Sequence, residues 1–186
     1  MATERMPEET KMKALILTGR LVQDQEFIYP LYRLQEAGYE VDVSVGGREP
    51  VLGYFGTKIV PTVDFPGVYA NDYEVLILPG GVKAMEHMRQ RKELIDFIQA
   101  FHHTRKVIGS ICSAAQLLIS ADIVRDNIIS GYYAMADDIV NAGATYVDAP
   151  AVVDDHIVTS PHYKHLGPWM KAVLEEVDRC KTIKTS

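Results

Sequence analysis

Lys106-Val107-Ile108-Gly109-Ser110-Ile111-Cys112-Ser113-Ala114-Ala115 decides how this chain folds. A short, mostly apolar run, Lys106 to Ile111, reads as a strand covered on both faces. It leads directly into Cys112, and the small residues after it let a helix start abruptly and pack closely on a sheet. A strand running into a tight turn and then a helix is how a nucleophile is lifted to the carboxyl edge of a sheet.

The same pattern recurs on both sides. Lys13 to Thr18 and Tyr73 to Leu78 are two more apolar runs of strand length, and Tyr39 to Val45 alternates as a strand. A helix is expected from about Asp24 to Ala37, with Gly38 as the residue that ends it. Leu94, Ile95, Phe97, Ile98 and Phe101 have helical spacing. Small hairpins are expected over Val51 to Val60 and around Asp154-Asp155-His156, with short strands at Asn127 to Ser130 and Thr145 to Val147. Helices are expected over Ser113 to Ala121, Ala134 to Asn141 and Pro161 to Val177. Strands alternating with helices imply right-handed crossovers and a mostly parallel sheet, hence one doubly wound α/β domain. The boundaries are a loosely attached tail over 1–12, a single domain over 13–177 and a polar tail over 178–186. Ligands of such sheets gather at the carboxyl ends of strands. The loop after Thr18, the turn Pro79-Gly80-Gly81 and Cys112 all fall there.

Composition narrows the function. The 186 residues are 47% hydrophobic and 24% charged, as in ordinary globular chains. The net charge of −6 is a poor match to nucleic acid, and the densest basic run, Arg89 to Lys92, reads as a solvated helix face. Cys112 and Cys180 are too few for a disulfide scaffold and are expected as reduced thiols. The polar start, Met1 to Lys11, carries no signal-peptide core, and no apolar run approaches the ~20 residues of a membrane span. A cytoplasmic protein without membrane or nucleic-acid partners is expected. No Gly-x-Gly-x-x-Gly, P-loop or metal-ligand spacing is present, so neither cofactor nor metal is expected.

The chemistry then rests on Cys112. A helix starting after it would turn amides towards the sulfur and favour the thiolate, the reactive form. Lowering a thiol pKa by about 3 units requires roughly 4 kcal/mol. A helix terminus supplies ~0.3–1 kcal/mol, and up to ~2 in favourable geometry. A second donor is required, and a charge-assisted hydrogen bond adds roughly 1.5–3 kcal/mol. On the turn alone, a small buried core cysteine remains an equal alternative.

Several motifs in this order resemble the ThiJ/PfpI superfamily of cysteine proteases, deglycases and cofactor-independent glyoxalases. They are Glu26-Phe27-Ile28-Tyr29-Pro30 with Leu34 to Val41, then Leu78-Pro79-Gly80-Gly81, then Ser110-Ile111-Cys112 with Gln116 to Ala121. Asp137-Asp138, Asn141 to Ala144 and Val152-Val153-Asp154 extend the match towards the PfpI branch. The resemblance spans about Lys13 to Leu174 and implies a flavodoxin-like three-layer sandwich. It maps the family cysteine onto Cys112, and onto Glu26 the family's protonated acid that donates to the sulfur. Pro30 agrees, because its ring disfavours a regular helix around the Glu26 carbonyl, so a kinked or starting helix there would present Glu26 to the sheet edge. The amides of Gly80, Gly81 and Ser113 are candidates for an oxyanion hole, with an ordinary tight turn as the alternative.

The chain departs from the family pattern after the cysteine. Ser113 stands where PfpI-type proteases carry His, and Ala114-Ala115 replaces Gly-Pro. The adjacent general base is therefore missing. His162 and His165, just after a strand end, are candidate substitutes. Tyr132 or Tyr133 is a candidate pocket residue, while His87, His102, His103 and His156 read as surface or turn residues. The expected function is a cysteine-dependent enzyme acting on a small electrophile as hydrolase, hydratase or glyoxalase/deglycase. The alternatives are a redox or stress sensor working through oxidation of Cys112, and a binding module with Cys112 inert. The family implies a homodimer or larger homo-oligomer, and Tyr54-Phe55 is an apolar hairpin tip suited to a partner subunit.

Overall fold

A computed structural model describes residues 11–184. Four strands form the parallel centre: β1 (Lys13–Leu17), β5 (Val75–Leu78), β6 (Val107–Ile111) and β10 (Ile157–Ser160). β2 (Glu40–Ser44) and β9 (Val152–Asp154) are the edges, in the order β2-β1-β5-β6-β10-β9. Every pairing is parallel except that of β9 with β10. All residues of β5 and β6 are buried, as a strand with helices on both faces requires.

α1 (Asp24–Glu36) and the closing helix α6 (Leu166–Lys184) pack against each other. α2 (Val82–Met88), α3 (Lys92–His103) and α4 (Ala115–Ser120) form a second packed group. Trp169 and Val173 of α6 lie on Gly109 of β6. A Cβ there would sit 2.8 Å from Ile77 Cδ1 and 3.0 Å from Val173, so only glycine allows the helix this close. The buried Trp169 indole N–H is satisfied by the Val158 carbonyl at 3.1 Å. Two small pairings flank this body: β3 (Val51–Leu52) with β4 (Lys58–Ile59), and β7 (Ile128–Ile129) with β8 (Thr145–Tyr146), beside α5 (Ala136–Asn141).

Three expectations need correction. α2 was not anticipated, although Ala84, Met85 and Met88 supply its buried face. Arg89 to Arg91 lie at the α2–α3 junction, where Arg89 donates to Ser120 Oγ at 2.9 Å and Gln116 Oε1 at 3.2 Å. α6 runs to Lys184, through most of the segment expected as a polar tail. Its last turns are held by Arg179, bidentate on the buried Glu176, rather than by an apolar stripe. Of the two forms expected around Glu26, a kinked or a starting helix, the structure has the second: α1 starts at Asp24, presents Glu26 in its first turn and continues through Pro30. The expected N-terminal tail falls mostly outside the described residues. Met12, at its end, packs against the core and accepts the Glu40 N–H at 2.9 Å.

Candidate active site

β6 ends at Ile111, and Cys112 comes next with φ 60°, a left-handed conformation unusual for a residue with a Cβ. Such a residue costs on the order of 1–3 kcal/mol and persists only where its surroundings hold it. Here the Tyr132 N–H bonds to the Cys112 carbonyl at 3.0 Å. Gly131 permits that approach, since a Cβ on it would lie 2.9 Å from the Ala115 Cβ. Cys112 opens a single 3-10 turn, which passes into the six residues of α4. So short a helix leaves most of any thiolate stabilisation to other donors.

Those donors come from Ser113 and Glu26. The Ser113 N–H and hydroxyl both interact with the Cys112 sulfur and favour its anion. Glu26, in the first turn of α1, is 0% exposed. Its Oε2 accepts the Gly80 N–H at 2.7 Å. Its Oε1 is buried with no hydrogen-bond partner of ordinary geometry among the described residues. The acid and the cysteine meet across Gly80, where a Cβ would lie 2.7 Å from Glu26 Oε2 and 2.9 Å from Cys112 Cβ.

Burial pushes the Glu26 carboxyl up to about 8, against the pull of the Gly80 N–H and of Cys112. Burial, with a charged Glu26 beside it, pushes the Cys112 thiol up to about 12, against the pull of Ser113. The two groups therefore do not both ionise near neutral pH, and their titrations are coupled. With the acid neutral, its charge no longer opposes the thiolate and its O–H becomes a donor.

In the free protein the three amides expected for an oxyanion hole have partners. The Gly80 N–H is held by Glu26, and the Gly81 N–H donates to Ser113 Oγ at 2.9 Å. The Ser113 N–H lies beside the sulfur and favours its anion.

Glu26, Cys112 and Ser113 line a cleft of about 390 Å³, together with Tyr132, His162 and Tyr163. That volume suits a small molecule. His162 lines the cleft and His165 does not. His162 Nδ1 accepts the Lys164 N–H at 3.2 Å, and its ring lies 4.0 Å from that of Tyr163. Burial, then the charges of Lys164 and His165, hold its pKa below the usual histidine value.

Tyr54 also reaches the cleft, from the β3–β4 hairpin, and was missed as a site residue because nothing local ties that tip to Cys112. The tie is Asp24, whose carboxylate accepts the Phe55 N–H at 2.8 Å and the Thr57 N–H at 2.9 Å. Tyr54 and Phe55 are 65% and 71% exposed. Val82 and Lys83 line the cleft from α2, the helix that the sequence did not announce. His156, expected as a surface or turn residue, lies in the β9–β10 turn but is 1% exposed, and bonds Asp155 at 2.7 Å and His102 at 2.9 Å, away from the cleft.

Among the described residues no helix is long and apolar enough to cross a membrane. The family model described as DJ-1/PfpI matches residues 12–176. A deglycase of Pyrococcus horikoshii is 35% identical over 160 residues, 86% of this chain and 96% of its own. Among solved structures, a two-domain protein of Anabaena variabilis with DJ-1/ThiJ/PfpI-like and ferritin-like domains superposes with a TM-score of 0.87 at 30% identity. The match covers 90% of this chain and 48% of that one, so the present chain spans about half the length of that protein. Drosophila melanogaster DJ-1beta superposes with a TM-score of 0.83 at 24% identity, covering 91% and 95% of the two chains.

Proposed function

Because this chain belongs to the DJ-1/PfpI family, we propose that it is a cysteine-dependent enzyme in which the Cys112 thiolate, supported by Glu26, adds to small reactive carbonyl compounds. The observation that carries this reading is convergence. The fully buried Glu26 carboxyl and both donors of Ser113 meet at the Cys112 sulfur, on the floor of an open cleft. Ser113 offers the sulfur two donors, its N–H and its hydroxyl, while the carboxyl accepts the Gly80 N–H. Cys112 is half-buried, and Glu26 is fully buried. In this reading the reactive form of the pair carries its negative charge on sulfur and its proton on Glu26.

In the addition step the sulfur lone pair forms a C–S bond, and the π pair of the C=O moves to oxygen. Glu26, no longer paired with an anion, holds the proton that neutralises this oxygen, and its carboxylate is then a base for the following step. Ser113 replaces the histidine of PfpI-type proteases. That substitution favours a small carbonyl substrate over a peptide, whose amine leaving group requires an acid next to the nucleophile.

Methylglyoxal is the test substrate. The protein is expected to consume it, and to be protected by it from iodoacetamide at Cys112 but not at Cys180, as read by peptide mass mapping. Absence of both consumption and protection would overturn the reading.

A further inference from the structure

Resting on the nucleophile just described, we infer that His162 is the neutral hydrogen-bond donor that receives the developing oxyanion when Cys112 adds to a carbonyl. The backbone amides that would ordinarily do this are engaged elsewhere. Gly80 N–H is on Glu26, Gly81 N–H is on Ser113 Oγ, and Ser113 N–H is on the sulfur. Until Glu26 passes its proton to that oxygen, the charge leaving the sulfur needs a donor on the cleft wall.

Among those side chains His162 is the one held in place. Its Nδ1 accepts the Lys164 N–H, so in the neutral ring the remaining proton is on Nε2. Nε2 has no partner among the described residues, and the residue lines the cleft. The ring stacks on Tyr163 at 4.0 Å, Tyr133 at 6.0 Å and Tyr132 at 6.3 Å. Tyr132 is in turn tied to the Cys112 carbonyl at 3.0 Å. A donor fixed before the reaction needs no reorganisation during it, which is what makes such groups effective. The competing donors are less fixed. Lys83 is exposed and paired with Glu86, and Tyr54 is largely in solvent. This tautomer also excludes His162 as a base at its Nε2 edge, because that nitrogen already carries the proton.

The role separates two reactions of one sulfur. Addition to methylglyoxal moves an electron pair onto oxygen, whereas alkylation by iodoacetamide expels iodide and builds no oxyanion. His162→Phe keeps a stacked ring and removes the donor. It is expected to slow methylglyoxal addition to Cys112, followed by stopped-flow loss of thiolate absorbance, by about 10²-fold. Iodoacetamide alkylation should stay within about 2-fold of the wild type. His162→Gln, with an amide N–H in its place, should restore most of the addition rate. Nitrogen NMR of the wild type should show His162 with its proton on Nε2 at neutral pH.

Equal slowing of both reactions in His162→Phe, or slowing of neither, would overturn the inference. A wild type that reacts with neither reagent would instead overturn the nucleophile assignment. The NMR tautomer would still be read independently.

Discussion

Cys112→Ser is expected to lower methylglyoxal turnover by about 10³-fold or more, the scale on which nucleophile replacements act. The loss stems from the anion rather than from the fold. Glu26 and Ser113 stabilise a thiolate whose ordinary pKa is ~8.5, whereas a serine hydroxyl is far too weak an acid for the same donors to ionise. Ser113 does not take over, because its oxygen already accepts the Gly81 N–H at 2.9 Å and faces the sulfur position rather than the cleft centre. The turn itself should persist, since the Tyr132 N–H holds the backbone carbonyl of residue 112 whatever its side chain. Thermal unfolding near pH 5 should therefore shift little. Turnover within a few fold of the wild type would contradict the assignment.

The same variant isolates Glu26 for a second, thermodynamic prediction. Without the sulfur the carboxyl titrates alone, moved from its ordinary 4.5 to about 8 chiefly by burial. A carboxyl raised in this way keeps its proton in the fold after the unfolded chain has lost its own. Stability is then full below about 4.5 and falls as pH rises towards about 8. At 1.36 kcal/mol per unit, the fall is roughly 3–5 kcal/mol. Denaturant unfolding of Cys112→Ser should show this fall against Cys112→Ser/Glu26→Gln, in which residue 26 does not titrate. Parallel stability curves for the two variants would mean that the Glu26 carboxyl is not buried as described.

The layered fold was legible because β1, β5 and β6 are covered on both faces and so carry unbroken apolar runs. Cys112 was legible because a strand, a cysteine and three small residues together specify a tight strand-to-helix turn. Glu26 entered through family resemblance. Its bond to Gly80 joins residues 54 apart, and no local pattern encodes that. The occupancy of the three amides was hidden for the same reason: glycines advertise close approach, not what approaches. α6 outran its expected end because its last turns depend on the Arg179–Glu176 pair, which leaves no apolar periodicity to follow. His156 lies in the β9–β10 turn, one of the two places expected for it; its burial was hidden because it comes from α3, which brings His102 against that turn.

The most direct test of the proposed Glu26–Cys112 pair is the pH dependence of iodoacetamide alkylation at Cys112, with Glu26→Leu beside the wild type. Leucine removes the donated proton and leaves the Gly80 N–H without its acceptor. The wild type should reach half its limiting rate well below about 12, the value to which burial and a charged Glu26 together push the thiol, because a neutral Glu26 withdraws its part of that push. Glu26→Leu should move that midpoint upward and slow alkylation at neutral pH by roughly 10- to 100-fold, the equivalent of 1.5–3 kcal/mol. A wild-type rate still climbing above about pH 10, or a midpoint unmoved by Glu26→Leu, would show that the charge does not reside on the sulfur.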